Sequence, residues 1–389
     1  MQLFLHRSWV EINIDNLGHN LKEIRKLMAK DTQLMACVKA DAYGHGSVLI
    51  ALSLERFGAD SFGVSNINEA QVLRNSGVKK PILILGFTPP ELAGRLASLD
   101  ITQTILNLSY ANQLSAAAKD AGVTLNTQIK VDTGMSRIGF FAGDVQKAVD
   151  EIQQACRLPN LNPVGIYTHY AAAEEQTDFG RQYTENQHML FAELISGLAK
   201  HGISFASAHC CNSAGAYFYP ESQHSLVRAG IMLYGLSPAN EMLENLSLRP
   251  VMALKSSVSM VKDIPPGSYV SYGCRYKADG TRRIATVPLG YADGYPRRLA
   301  GKAKAFVNGV LVPVVGTICM DQLMLDVTGM DVKQDDTVTF FGGDSPISLH
   351  SLALLADTIS YELCCGISRR IPRVYLKGGE ILDAIDYTL

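Results

Sequence analysis

Residues 34–46 read LMACVKADAYGHG. Five apolar residues, Leu34 to Val38, lead to Lys39, and a turn carrying Gly44 and Gly46 follows. A short apolar run closed by glycine punctuation is the pattern of a buried strand, so Lys39 stands at the strand's C-terminal end. Its stem is expected in the core and its amine at the rim. A desolvated lysine amine is the kind tuned for Schiff-base chemistry, whereas most lysines are solvated surface groups. Tyr43-Gly44-His45-Gly46 adds a phenol and a turn expected to be flexible enough to close on an anion.

Outward from this stretch the same texture recurs at 61–65, 82–86, 101–105, 125–131, 163–168, 204–209 and 225–230. Helical patterns lie between, over 47–57, 67–75, 109–121, 144–156 and 182–201. In the last of these Leu190, Leu194 and Leu198 repeat at i+4, and Gly202 supplies a stop. Eight strands alternating with helices fit a closed (β/α)8 barrel or an open doubly wound sheet. After residue 240 the segments 251–261, 284–289, 303–315, 323–327 and 337–341 are short and β-branched, separated by PPG, DG, NG and GGD turn signals. Only 348–361 reads as a helix there. The expected organisation is residues 11–240 as the α/β unit and 241–389 as a β-rich unit, joined near SPANEMLEN at 237–245. Residues 1–10 are expected to pack on the β-rich part.

Composition narrows the classes. The 389 residues carry a formal net charge of −2, with no basic excess in either part to serve nucleic-acid binding. At 47% hydrophobic and 19% charged residues, the chain supports a large core rather than disorder. No run of 18 apolar residues exists, so no membrane-spanning helix is expected. The start, MQLFLHRSWVEINID, lacks the layout of a secretory signal, and a cytoplasmic location is expected. Eight cysteines include two adjacent pairs, Cys210-Cys211 and Cys364-Cys365, but no C-x-x-C. They are expected to be reduced, mostly buried packing groups, with no metal site.

Polar residues cluster at corresponding places along the repeats. Arg137 follows the fifth strand, His169 the sixth, His209 and Asn212 the seventh, and Arg228 lies in the eighth. In a (β/α)8 barrel the C-terminal strand ends converge on one mouth, where active sites lie. A single such residue reads as a solvated rim group; five at equivalent positions point to a site.

VKADAYGHG at 38–46 resembles the pyridoxal-phosphate attachment motif of bacterial alanine racemases. KVDTGMSRIG (130–139), GIYTHYA (165–171), HCCNSA (209–214), VRAGIMLYG (227–235), VSYGCRY (270–276), PLGYADGY (288–295), GTICMDQ (316–322) and ISYELCCGISRRIPR (359–373) match the same family in the same order. The resemblance spans essentially the whole chain. It implies an α/β plus β fold, an N-terminal (β/α)8 TIM-type barrel with a C-terminal mostly-β domain, working as a homodimer whose β domains cover the partner's barrel mouth.

The resemblance also assigns roles. Lys39 would carry pyridoxal 5'-phosphate as a Schiff base, with Tyr43, Asn212, Ser213, Gly230, Ile231 and Tyr361 around the cofactor, mostly at its phosphate. Arg228 would face the pyridine nitrogen; a permanent cation there only donates, so the nitrogen stays unprotonated and side reactions such as transamination are suppressed. Lys39 and Tyr272 of the other subunit would be the two catalytic bases, with His169 between Tyr272 and Arg228. Arg137 and the backbone at Met320 would bind the substrate carboxylate, and Asp321 and Tyr291 would lie near the substrate. Lys130 matches a position that carries a carbamate in some members. Where many members have arginine this chain has Thr317, assigned to the entry corridor. The implied reaction interconverts L- and D-alanine, supplying D-alanine for peptidoglycan. A serine or broad-specificity racemase is the rival reading. A fold-related decarboxylase of basic amino acids conflicts with Arg228, and a non-catalytic cofactor carrier leaves the β domain unexplained.

Overall fold

The computed structural model describes residues 7–239 and 245–388. Eight parallel strands follow one another around the first unit: Gln33–Cys37, Ser61–Val64, Ile82–Ile84, Ile101–Ile105, Leu125–Asp132, Leu161–Tyr167, Ser207–His209 and Leu226–Ala229. The last pairs with the first, Leu226 opposite Gln33, which decides for the barrel over the open sheet. The seam between the seventh and eighth strands is closed through Ser225. Its N–H donates to Ala208 O at 3.1 Å, and Ala208 N–H donates to its hydroxyl at 2.8 Å. Strands covered by helices outside and side chains inside need apolar residues on both faces, and these are almost wholly buried. Met35, Leu83, Tyr167 and Leu226 form one cluster apart from the main core. The helices start where side chains can cap them: Asn66, Asn107, Asp144 and Thr177 each accept from a first-turn N–H.

The second unit is built on a ten-stranded sheet. The first described strand lies there: Ser8–Asn13 runs antiparallel to Met252–Ser257 and parallel to Arg373–Lys377. Asn13 then caps helix Ile14–Lys26, which leads into the barrel. The expected junction near 240 falls at residues 240–244, outside the described residues, as do residues 1–6. Three sequence expectations change. Segment 251–261 is two strands, Met252–Ser257 and Met260–Ile264, in different parts of the sheet. Segment 303–315 is a hairpin, Lys304–Val307 and Val310–Val315, turning at Asn308-Gly309 with both φ positive, as a two-residue hairpin loop demands. Segment 348–361 breaks at Asp357, φ 54°, into helices Leu349–Leu355 and Ser360–Gly366. The closing strand pair Arg373–Lys377 and Glu380–Ile385 was not anticipated.

All eight cysteines are free. Four are buried (Cys37, Cys210, Cys211, Cys364), whereas Cys274 and Cys365 are exposed, so packing is not the role of every one. Among the described residues no helix is long and apolar enough to cross a membrane.

Candidate active site

Just beyond the first barrel strand, Lys39 opens a tight turn, Lys39–Tyr43. Ala40, Asp41, Ala42 and Tyr43 all hold left-handed backbone angles, φ 53° or 54°. L-residues resist this by roughly 1–2 kcal/mol each, and the surroundings supply the restraint. Asp41 accepts from Ser47 N–H and from the Tyr387 hydroxyl, both at 2.7 Å. Glu69 accepts from Ala40 N–H at 3.0 Å. The β unit clamps the far side: buried Arg373 donates to Gly44 O at 3.1 Å, and Tyr375 donates to His45 O at 3.0 Å. A Cβ on Gly44 would fall 2.2 Å from Cys364 O, and one on Gly46 1.8 Å from the Tyr375 hydroxyl. The turn is locked, which corrects the expectation of a flexible closing loop. Lys39 is half-buried, in keeping with a stem that enters the core and an amine at the rim.

Tyr43 is buried between Tyr234 and Tyr361, with ring centroids 4.9 and 6.1 Å away. Across from it, Gly230 N–H donates to the Ser213 hydroxyl at 3.0 Å. Ser213 begins helix Ser213–Phe218, and Asn212 caps that helix through Gly215 N–H at 2.8 Å. Gly230 and Ile231 begin the turn Ile231–Tyr234. A Cβ on Gly230 would stand 2.8 Å from the Tyr43 hydroxyl, so the glycine lets that phenol come up against the starts of the two short helical turns, where backbone N–H groups favour an anion.

Arg228, in the eighth strand, is buried. Its Nη2 donates to Thr168 O and Cys210 O at 2.8 Å each and to His169 Nδ1 at 3.2 Å. Nη1 donates to His209 Nδ1. Because arginine only donates, both Nδ1 atoms must be acceptors, and both rings carry their proton on Nε2. For His209 that proton meets Gln128 Oε1 at 2.8 Å. Burial, and then the Arg228 charge, hold both imidazoles well below the usual histidine range, so they are neutral. His169 also feels Lys130, Arg137 and Lys39, which places these cations around one mouth.

Lys130 is buried beneath the mouth and donates to Val131 O. Burial and the Arg228 charge push its amine down to about 7, with Asp132 opposing and Arg137 adding. Asp132 shapes the next loop by accepting from Gly134 N–H and Ser136 N–H at 3.0 and 2.9 Å. Arg137 projects from that loop, exposed.

The remaining predicted residues sit elsewhere on the chain. Tyr272 is 75% exposed and lines a cleft of about 400 Å³ with Lys262, Tyr269, Cys319, Gln322 and Met324, a cleft containing no barrel residue. Tyr291 N–H donates to Cys319 O, and Ala292 N–H donates to Met320 O. Thr317 donates to Tyr272 O at 2.8 Å. Asp321 pairs with Arg370 at 2.8 Å. Tyr272, Tyr291, Met320 and Asp321 thus form one exposed patch on the β unit, while Tyr361 lies at the chain's own barrel mouth.

The alanine racemase N-terminal domain family matches residues 12–238, and the C-terminal domain family matches 251–375. The chain belongs to the alanine racemase family. An alanine racemase of Clostridium novyi is 41% identical, covering 98% of this chain and 99% of that protein. The solved alanine racemase of Clostridium difficile superposes with a TM-score of 0.94 at 38% identity, covering 98% and 99%. The Bacillus anthracis alanine racemase solved with bound L-Ala-P gives 0.91 at 33% identity, covering 99% of each chain.

Within this alanine racemase fold the structure adds residues that sequence reasoning missed. Arg373 donates to carbonyls of Gly44, Ser368, Ile371 and Ile367. It ties the lysine turn to the β unit; in the sequence it stood only as the last residue of the ISYELCCGISRRIPR match, with no role assigned. Gln128, which orients His209, came from a stretch read only as strand. Thr317, assigned to the entry corridor, is buried; its hydroxyl and carbonyl hold Tyr272 and Ser271. It touches Tyr272 through the backbone carbonyl.

Proposed function

We propose that this protein is an alanine racemase that interconverts L- and D-alanine with bound pyridoxal 5'-phosphate, as a homodimer with composite sites. The observation that carries the reading is the Arg228 centre: a buried guanidinium held by neutral acceptors and neutral histidines, beside Lys39 and an anion cradle. The residues fit the cofactor. Tyr43, Ser213, Gly230 and Ile231 offer hydroxyl and backbone groups where the two short helical turns begin, with Asn212 capping one of them and Tyr361 packed beside Tyr43. Arg228 offers a donor to an unprotonated ring nitrogen. A carboxylate there would protonate that nitrogen; with arginine it stays neutral.

When bound, pyridoxal phosphate supplies an electron sink that acidifies the α-C–H of the attached amino acid. The chain's residues do the rest. Lys39 Nζ moves the proton on one face of the α-carbon, and Tyr272 Oη of the partner subunit moves it on the other. His169 supports Tyr272: its Nδ1 accepts from Arg228, so its Nε2–H is free to donate and to stabilise a phenolate. Arg137 holds the substrate carboxylate with the backbone at Met320 of the partner subunit. Tyr291 and Asp321 of the partner subunit border the substrate. Lys130, as a carbamate, would orient Arg137.

The dimer reading rests on Tyr272. In one chain its phenol lies in a cleft without barrel residues, in an exposed patch that suits covering by a second copy. We assign residues 11–240, apart from the end of strand Ser8–Asn13 that pairs into the β sheet, to cofactor binding, and 241–389 to completing the partner's site while contributing Tyr361 to the chain's own. The test is a racemisation assay on L-alanine, L-serine and larger amino acids with added cofactor. Alanine should be the best substrate by kcat/KM. Loss of racemisation on Lys39→Ala, with no borohydride-trapped cofactor, supports the assignment; retained trapping refutes it.

A further inference from the structure

Outside the barrel mouth, three metal-binding side chains meet on the reverse side of the seventh strand. His209 points into the barrel, so strand alternation turns Cys210 outward to the helix layer. There Cys210 Sγ, a ring nitrogen of His188 and a ring nitrogen of His224 all lie within 4.8 Å of one another. His188 comes from helix Asp178–Lys200, and His224 from the loop before the eighth strand. The donors are 14 to 36 positions apart in sequence, with no C-x-x-C or H-x-x-x-H spacing, which is why the sequence pointed to no metal.

We propose that Cys210, His188 and His224 bind a borderline-soft divalent cation of the zinc class, as one thiolate and two imidazoles with a fourth position open to water. The donor set is one that zinc selects. One thiolate and two neutral rings would leave a bound divalent ion at net +1, a modest charge to hold at a half-exposed position. Donors in a tetrahedral zinc site stand about 3.5 Å apart, so the three atoms, all within 4.8 Å of one another, need draw together by at most about 1.3 Å. His224 supplies that freedom: it is exposed, sits on a left-handed turn at φ 50°, and opens the site to solvent. An outer partner is also in place. The Tyr170 hydroxyl lies 3.0 Å from Cys210 Sγ and 3.1 Å from His188 Nδ1, where it would donate to a metal-bound thiolate. Without metal, the Cys210 thiol donates to Ser222 O at 2.8 Å. The site touches the catalytic region where the Cys210 carbonyl accepts from Arg228 at 2.8 Å.

The experiment is titration of the reduced, chelator-treated holoenzyme with Co²⁺, read as difference absorption. The site predicts one equivalent per chain, with a thiolate-to-cobalt band in the near ultraviolet and ligand-field bands in the visible, all bleached by Zn²⁺. Cys210→Ser should lose the thiolate band. His224→Gln, at an exposed position, should bind cobalt ~10-fold or more weakly. If Cys210→Ser does not fold, His224→Gln decides alone. Absence of a cobalt spectrum in the wild type, or affinity unchanged in His224→Gln, overturns the proposal.

Discussion

Lys130 offers a prediction whose size follows from its surroundings. Burial, reinforced by Arg228, brings its amine from 10.5 to about 7. At pH 7.5 about three quarters of the chains would then hold it neutral, against about one in a thousand for a free lysine. Only the neutral amine attacks carbon dioxide; it forms an N–C bond, loses one proton and leaves a carbamate anion. That anion would stand beside Arg228 and Arg137, where the protonated amine is unfavourable. The folded state binds fewer protons than the unfolded chain between pH 7 and 10.5, so stability should rise with pH across that window. Below pH 7 the buried amine costs at most about 5 kcal/mol. Protein equilibrated with ¹³C-bicarbonate at pH 8 should show a carbamate carbonyl resonance, weaker at pH 6 and absent in Lys130→Met. In bicarbonate-free buffer Lys130→Met should raise the urea midpoint at pH 6, the gain fading toward pH 10. No resonance specific to Lys130, together with a pH-independent effect of Lys130→Met, would refute the reasoning.

Other expectations concern different parts of the site. Mixing Lys39→Ala chains with Tyr272→Phe chains should restore roughly a quarter of the wild-type sites by random pairing; no recovery after subunit exchange, verified by mass, would place both bases within one chain. Thr317→Val removes the hydrogen bond to Tyr272 O, worth about 1 kcal/mol, so kcat should fall several-fold with KM for alanine little changed and cofactor absorbance intact; an equal loss in cofactor binding would contradict a role confined to Tyr272. Tyr361→Asn should raise kcat/KM for serine relative to alanine if the tyrosine limits the pocket, and an unmoved ratio would put specificity elsewhere. Gly44→Ala must place a Cβ against Cys364 O at a left-handed φ, and should lower stability by about 2 kcal/mol or more; a thermal midpoint equal to the wild type would mean the lysine turn is not clamped as described.

Much of this architecture was legible in the chain because its signals are local. Apolar runs such as 101–105 and 125–131 alternate with 3.6-periodic helices such as 47–57, and a strand or a helix needs little more than its own residues to declare itself. The placement of Lys39, His169, His209 and Arg228 at strand ends was equally readable, since the barrel's repeat carries each strand end to the same mouth. What sequence periodicity does not encode is contact between distant segments. The pairing of strand Ser8–Asn13 with Arg373–Lys377, the clamp of Arg373 on Gly44, the tautomers set by Arg228, and the meeting of His188, Cys210 and His224 each join residues that share no local pattern. Their positions follow from which faces the packed layers bring together, and from the need to give every buried donor an acceptor. Tyr272 shows the division well. Its motif marked it in sequence, but only the fold reveals that its phenol stands exposed in a cleft without barrel residues, because the strands that carry it belong to the sheet and not to the barrel.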